Sequence, residues 1–166
     1  MSVLWGFFWP CVAIGLLVGG LAGTIAFRRS ARRNKALAIG SALTLLLTVL
    51  WTGPLGAADR FTMRVEHDAR AVLDHYEMTQ VGAHLHHAPL SRHLILSGHA
   101  DDFQTTELVS LMGGLPGVSS AQWTKGPTGV PLLIEALVAA IAGFIFGLGL
   151  AYLNELRRHH NAQWNW

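Results

Sequence analysis

Apolar positions follow one rule in three stretches of this chain and another in a fourth. Residues 3–27 and 36–58 carry no charged side chain, and 130–153 carries only Glu135. A helix needs about 20 mostly apolar residues to cross a hydrocarbon layer about 30 Å thick, at about 1.5 Å of rise per residue. Lipid offers no partner for backbone N–H and C=O groups, so such runs are expected as helices rather than strands. Each run predicts a membrane-spanning helix, the second stopping near Thr52 because Gly53 and Pro54 follow.

Between the second and third runs the pattern becomes one-sided. Phe61, Val65, Ala69, Val72, Leu73 and Tyr76 recur three and four residues apart and predict an amphipathic helix to about Met78. Val81, Ala83 and Leu85 then alternate with polar residues, and so do Leu94 and Leu96 after the segment Ala88–Ser91. This predicts a hairpin with a four-residue turn. Pairing His87 with Arg92 sets Leu85 beside Leu94 and Ala83 beside Leu96 on one face. Asp101 followed by Gln104 has the form of an N-terminal capping box. It opens a helix through Leu108 and Leu111 that stops at Gly113 and Gly114, and Val118–Trp123 supplies a third strand after Pro116 and Gly117. The order is α-β-β-α-β, a small α+β layer of helices on one sheet. The expected organisation is a first membrane helix at 1–27, a basic loop at 28–35, a second helix at 36–58, the α+β domain at 59–129, a third helix at 130–153 and a tail at 154–166.

Composition agrees with the membrane reading: 51% of residues are apolar and 13% charged, against roughly 25% charged in average soluble domains. Disordered chains and free-standing soluble enzymes are poor matches. The single cysteine, Cys11, excludes an internal disulfide framework. A pI near 9.1 raises nucleic acid as a partner until the charges are placed. Arg28, Arg29, Arg32, Arg33 and Lys35 fill one loop with no acid, and Arg157 and Arg158 follow the third run. Basic flanks stay on the cytoplasmic side. The N-terminus and the 59–129 domain are then expected outside, where the domain's acids outnumber its bases. The basic balance thus points to topology and membrane lipids as partners, with no nucleic acid. The first ten residues carry no charged side chain and the basic cluster follows the apolar run, the reverse of a cleaved signal. The run is read as a retained helix.

Small residues recur every four positions on the apolar runs: Gly15, Gly19 and Gly23; Gly40, Thr44, Thr48 and Thr52; Ala139, Gly143, Gly147 and Ala151. Such stripes let helix backbones approach closely in lipid. They fit either a three-helix bundle within the chain or docking onto another membrane protein. Glu135, shallow in the third run, is a candidate interface residue whose carboxyl threonines of the second helix could satisfy.

Seven of the nine histidines fall in 59–129. On the predicted hairpin, His84, His86 and His93 share the face opposite the leucines, where three imidazoles could ligate a metal or respond to pH. No other cofactor is expected. Ser97, His99 and Asp101 are triad residue types, but nearness in sequence is not triad geometry, and no phosphate loop or dinucleotide glycine pattern occurs. The expectation is a protein that is not an enzyme.

The stretch "LILSGHADDFQTTELVSLMGGLPGVSSAQW" resembles the BON-domain family: a strand ending Leu96-Ser97-Gly98, a helix, then Pro116-Gly117-Val118 opening the last strand. The likeness covers the exterior segment, about 60–125. It implies that Gly98 releases the chain from the sheet and that Gly117 and Val118 start the returning strand. It also implies an envelope location, phospholipid or envelope binding, and no catalysis. The family's glycine in the hairpin turn is missing here, where His86–Leu90 stand. The resulting expectation is a bacterial inner-membrane protein with a periplasmic BON-like domain, acting as a binding or scaffold module. It would contact lipid or envelope components or serve as an accessory subunit of another membrane protein or complex. The alternative is a periplasmic metal- or pH-responsive sensor built on the histidine face.

Overall fold

A computed structural model describes residues 3–28, 33–124 and 129–163. The elements are α1 (Val3–Arg28), α2 (Arg33–Thr52), α3 (Ala57–His75), β1 (Val81–His87), β2 (Leu90–Gly98), α4 (Asp102–Gly113), β3 (Ser120–Trp123) and α5 (Leu132–Gln163). They form two compact units. One comprises the first turn of α1 to Phe7 and the chain from Gly56 to Glu135; the other comprises Phe8–Leu55 and the chain from Ala136 onward.

In the helical unit, α1, α2 and the Leu132–Arg158 stretch of α5 are each long and apolar enough to cross a membrane. α2 ends at Thr52 as its sequence predicts, and α5 runs past Leu153 to Gln163. α1 and α5 lie almost backbone to backbone. A side chain at Gly15 would overlap the Ala140 carbonyl, one at Gly19 the Phe144 carbonyl, and one at Gly23 the Ala151 methyl group. Reciprocally, Gly143 faces the Val12 carbonyl and Gly147 the Leu16 carbonyl. The paired numbers rise together along both helices, so α1 and α5 run parallel. Farther along, Phe27 and Tyr152 meet edge to face at 5.6 Å and Arg28 lies 3.8 Å from Glu155.

The buried residues of α2 are Gly40, Thr44, Thr48 and Thr52. Each threonine hydroxyl donates to the carbonyl four residues back, at 3.0, 2.8 and 3.0 Å. The hydroxyls are thereby satisfied without water. The opposite side of α2 presents Ile39, Leu43, Leu46 and Val49 outward.

The second unit has the predicted α-β-β-α-β order. Its sheet runs β1-β2-β3, with β1 antiparallel and β3 parallel to β2. Leu85 pairs with Leu94 and Ala83 with Leu96, as the alternation requires. Leu73, Val65 and Ala69 from α3, Leu108 and Met112 from α4, and Leu85, Leu94 and Leu96 from the sheet are all buried. α3 packs on β1, and α4 on β3 and β2. The first turn of α1 joins this unit through Phe7, whose ring lies 5.4 Å from that of Phe61.

β1 is an edge strand, and α3 meets two of its outward backbone groups. Glu66 accepts the Leu85 N–H at 2.9 Å, and Arg70 donates to the Val81 carbonyl at 3.2 Å. One turn of helix thus supplies an acceptor and a donor to a strand that would otherwise offer both to another chain. α3 stops at His75, before the expected Met78. Glu77 takes a left-handed conformation (φ 58°), while the Met78 N–H reaches back to Leu73 and the Glu77 N–H to Asp74. This is a Schellman closure with glutamate where glycine is usual.

The hairpin departs from its prediction. The turn holds two residues, Ala88 and Pro89, and His87 pairs with Leu90 rather than Arg92. Between the Leu85–Leu94 and His87–Leu90 pairs, β2 supplies Ser91, Arg92 and His93 against the single residue His86. This bulge replaces the regular pairing of His86 with His93. The tight turn is closed by a 3.0 Å contact from His86 Nδ1 to the Pro89 carbonyl, so β2 absorbs the surplus residues. β3 is also shorter than predicted: Val118 sits in the turn before it, its N–H bonded to the Leu115 carbonyl at 3.1 Å.

Candidate functional site

The chemistry-bearing side chains converge where the β2 bulge meets the start of α5. Ser119, just before β3, holds the Arg92 carbonyl with both its N–H (2.8 Å) and its hydroxyl (3.0 Å). The Arg92 side chain lies with its Nε 2.9 Å from Oε2 of Glu135, both side chains about three-quarters or more buried (21% and 25% exposed). Nε makes no aligned hydrogen bond, so the contact is a close charge pair rather than a directed bond. This corrects the expectation that threonines of α2 serve Glu135. Their hydroxyls bond their own helix, and the partner is an arginine that only the bulge brings into reach. Within the α+β unit, Glu135 thus ties the first turn of α5 to the sheet.

Next to it lies His93. It is 1% exposed, not a member of a solvated polar face. Its Nδ1 is 2.7 Å from the Ser120 hydroxyl, and the two residues are register partners between β2 and β3. Gly129 approaches both His93 Cβ and Ser91 Oγ, and Pro131 bridges to Ser91. The chain leading into α5 therefore covers this face of the sheet, a tertiary contact that alternation along β2 could not announce. Among the described residues, His93 Nε2 and Ser91 Oγ are buried without a hydrogen-bond partner. Burial pushes the His93 pKa below its usual value, and the nearby His86 pushes it further down. The site therefore favours neutral imidazole.

His84 is exposed and His86 half-buried. Among the described residues no group of three or more His, Cys, Asp or Glu side chains is arranged to hold a metal ion, and His84, His86 and His93 form no such group. The burial of His93 and the bulge beside it separate the roles of these three.

The glycines of the strand ends sit where side chains are excluded. Gly98 has φ 140° and would direct a side chain into the Gln80 carbonyl; Gly117 has φ 109° and would place one 2.8 Å from Val65 of α3. Both chain reversals depend on these positions. Asp101 and Gln104 form the predicted capping box on α4. Its residues line an open cleft of about 680 Å³ with Glu77, Gln80 and His99, where Asp101 is committed to the helix terminus.

The helix-packing residues are also placed. Gly15, Gly19 and Gly23 face α5; Gly143 and Gly147 face α1; Gly40 lies against Ala22 and Phe144. Ala139 is a correction: it is half-buried, and the residues fully enclosed on this stretch are Ala136 and Ala140. The stripe shifts by one residue because contact follows the 3.6-residue turn rather than a strict four-residue step.

Compared with family models, curated proteins and solved structures, the chain finds no match. Three membrane-length apolar helices with an α-β-β-α-β module between the second and third are what the fold defines.

Proposed function

We propose that this chain is a non-enzymatic membrane protein that presents a BON-like module at the outer face of a bacterial inner membrane, as a binding or scaffold subunit. One observation carries the membrane reading: the helical unit is built inside out. It encloses Gly40, Thr44, Thr48 and Ala140 while Leu17, Leu21, Ile39, Val138 and Ile145 point outward. Water would disfavour that arrangement, whereas in hydrocarbon helix association rests on close packing and internal hydrogen bonds. The parallel run of α1 and α5 fits two helices crossing in the same direction, with the basic loop that follows α1 expected on the cytoplasmic side.

A scaffold role is supported by where the structure invests its polar contacts. Glu66, Arg70, Asp101 and the Arg92–Glu135 pair close an edge, cap a helix and tie the sheet to residues 132–135 of its own unit. The glycine stripes of α1 and α5 are occupied by each other, so a membrane partner would meet outward apolar side chains instead, among them Leu46, Val49 and Leu50 of α2. Extraction in mild detergent followed by native mass analysis tests the subunit reading. A stoichiometric partner is expected; a stable free monomer at native expression contradicts it.

A pH-responsive module is the second reading, favoured by the buried, neutral-preferring His93 beside the Arg92–Glu135 pair. Protonation there would place a cation against the segment entering α5.

A further inference from the structure

The helical unit contains an open groove between α1 and α2, of about 520 Å³, bounded by Leu21 and Ile25 on one side and by Ile39 and Leu43 on the other. Its floor is set by the close approach of the helices at Gly40, where an added methyl would lie 2.6 Å from Ala22 Cβ. Leu21, Ile25 and Ile39 are each more than half exposed, so the walls are apolar and open. Lys35 also lines the groove, at its α2 N-terminal end. From Lys35 to Leu43 the helix rises about 12 Å, close to the half-thickness of a bilayer's hydrocarbon core.

The geometry points to this groove as the seat of one anionic phospholipid, its acyl chain between α1 and α2 and its headgroup phosphate at Lys35. The inference rests on the membrane reading above and adds a specific site to it. Charge complementarity selects the occupant. The sequence from Arg28 to Lys35 carries five bases and no acid. Arg28 is turned toward Glu155, whereas Lys35 has no carboxylate within ion-pair distance among the described residues. An apolar helix from another protein would fill the walls but would leave this ammonium unanswered. A lipid supplies the apolar length and the anion together, at the depth where a headgroup lies.

The full chain, purified in detergent, is titrated with equal mixtures of phosphatidylglycerol and phosphatidylcholine, and retained lipid is read by native mass spectrometry. The wild type is expected to prefer phosphatidylglycerol about fivefold, the selectivity that one lysine near a membrane surface confers. Lys35→Gln should abolish most of that preference, Lys35→Arg should keep it, and Ala36→Phe, which fills the groove, should lower retention of both lipids. Arg157→Gln should leave the preference unchanged. Inorganic phosphate at millimolar concentration should not displace the lipid. Equal retention of the two lipids by the wild type, or a preference that survives both Lys35→Gln and Ala36→Phe, overturns the site. So does efficient displacement by phosphate, or a co-purifying protein whose removal exposes the groove. Retention of each variant in carbonate-washed membranes is scored separately: a membrane-bound chain without lipid preference refutes the groove alone, and release of the wild type by carbonate refutes the membrane reading.

Discussion

The two units of this protein solve the burial problem in opposite ways. The α+β unit encloses Leu73, Leu85, Leu94 and Leu96 and leaves His84, Ser97 and His99 outside, as water demands. The helical unit encloses glycine, alanine and threonine and turns its leucines and isoleucines outward. In the first, large side chains exclude solvent and specificity comes from register and caps. In the second, the absence of side chains lets α1 and α5 meet, and threonines fold their hydroxyls back onto their own helix. Similar composition rules would misjudge one of the two, because the favoured interior depends on what lies outside.

The sharpest way to break this contrast is to add volume where the helical unit has none. Gly147→Leu forces a side chain into the Leu16 carbonyl and the Gly20 backbone, whereas Gly149 has open space around it. The expected loss for Gly147→Leu is more than about 3 kcal/mol, at the upper end for overpacking because backbone cannot yield as a side chain does. Gly149→Leu should be neutral or slightly stabilising through helix propensity. Thermal unfolding in detergent compares the two, and equal effects would refute the close α1–α5 contact. Removing volume is the matching experiment in the other unit. Leu94→Ala, at a fully buried position, should cost about 3 kcal/mol. Limited proteolysis should then open the 57–124 segment while retention in membranes is unchanged.

Smaller effects probe how the sheet is fastened to α5. Arg92→Ala should destabilise the α+β unit by about 1 kcal/mol, because the charge pair is mostly buried yet lacks an aligned hydrogen bond. In a double-mutant cycle with Glu135→Gln the effects should be non-additive; additivity would dissolve the pair. The smallest effect is pH-dependent. His93 in the folded chain holds a pKa below its usual 6.5. As the medium falls below that value, the unfolded chain takes up a proton that the folded chain resists, and stability is lost; above it the contribution is flat. Melting temperature should therefore drop as the pH falls below about 6.5, and His93→Gln should flatten that drop. An unchanged slope would remove His93 from any pH response.

Local pattern foretold most of the architecture. The end of α2 at Thr52, the Leu85–Leu94 register, the Asp101–Gln104 box and the element order all follow from signals within a few residues of each other. What pattern missed depends on contacts far apart in the chain. A bulge keeps the leucine register on one side while changing which residue opposes His86, so periodicity through Leu94 and Leu96 could not reveal it. His93 is met by Gly129, and nearby Ser91 by Pro131, both more than thirty positions onward. The partner of Glu135 was missed for the same reason, although Arg92 beside two adjacent polar residues in a strand was a signal that its side chain is aimed elsewhere. The glycine stripes announced close packing but not its partner. Only reciprocal contacts, Gly15 on Ala140 and Gly147 on Leu16, showed that α1 and α5 use each other.

The proposed topology, with residues 59–129 outside and the basic flanks inside, is tested most directly by the side from which single cysteines can be labelled. In a Cys11→Ala background, a membrane-impermeant maleimide should modify Ser97→Cys in intact spheroplasts and Arg158→Cys only after lysis. Labelling of Arg158→Cys in intact spheroplasts while Ser97→Cys is protected would contradict the account.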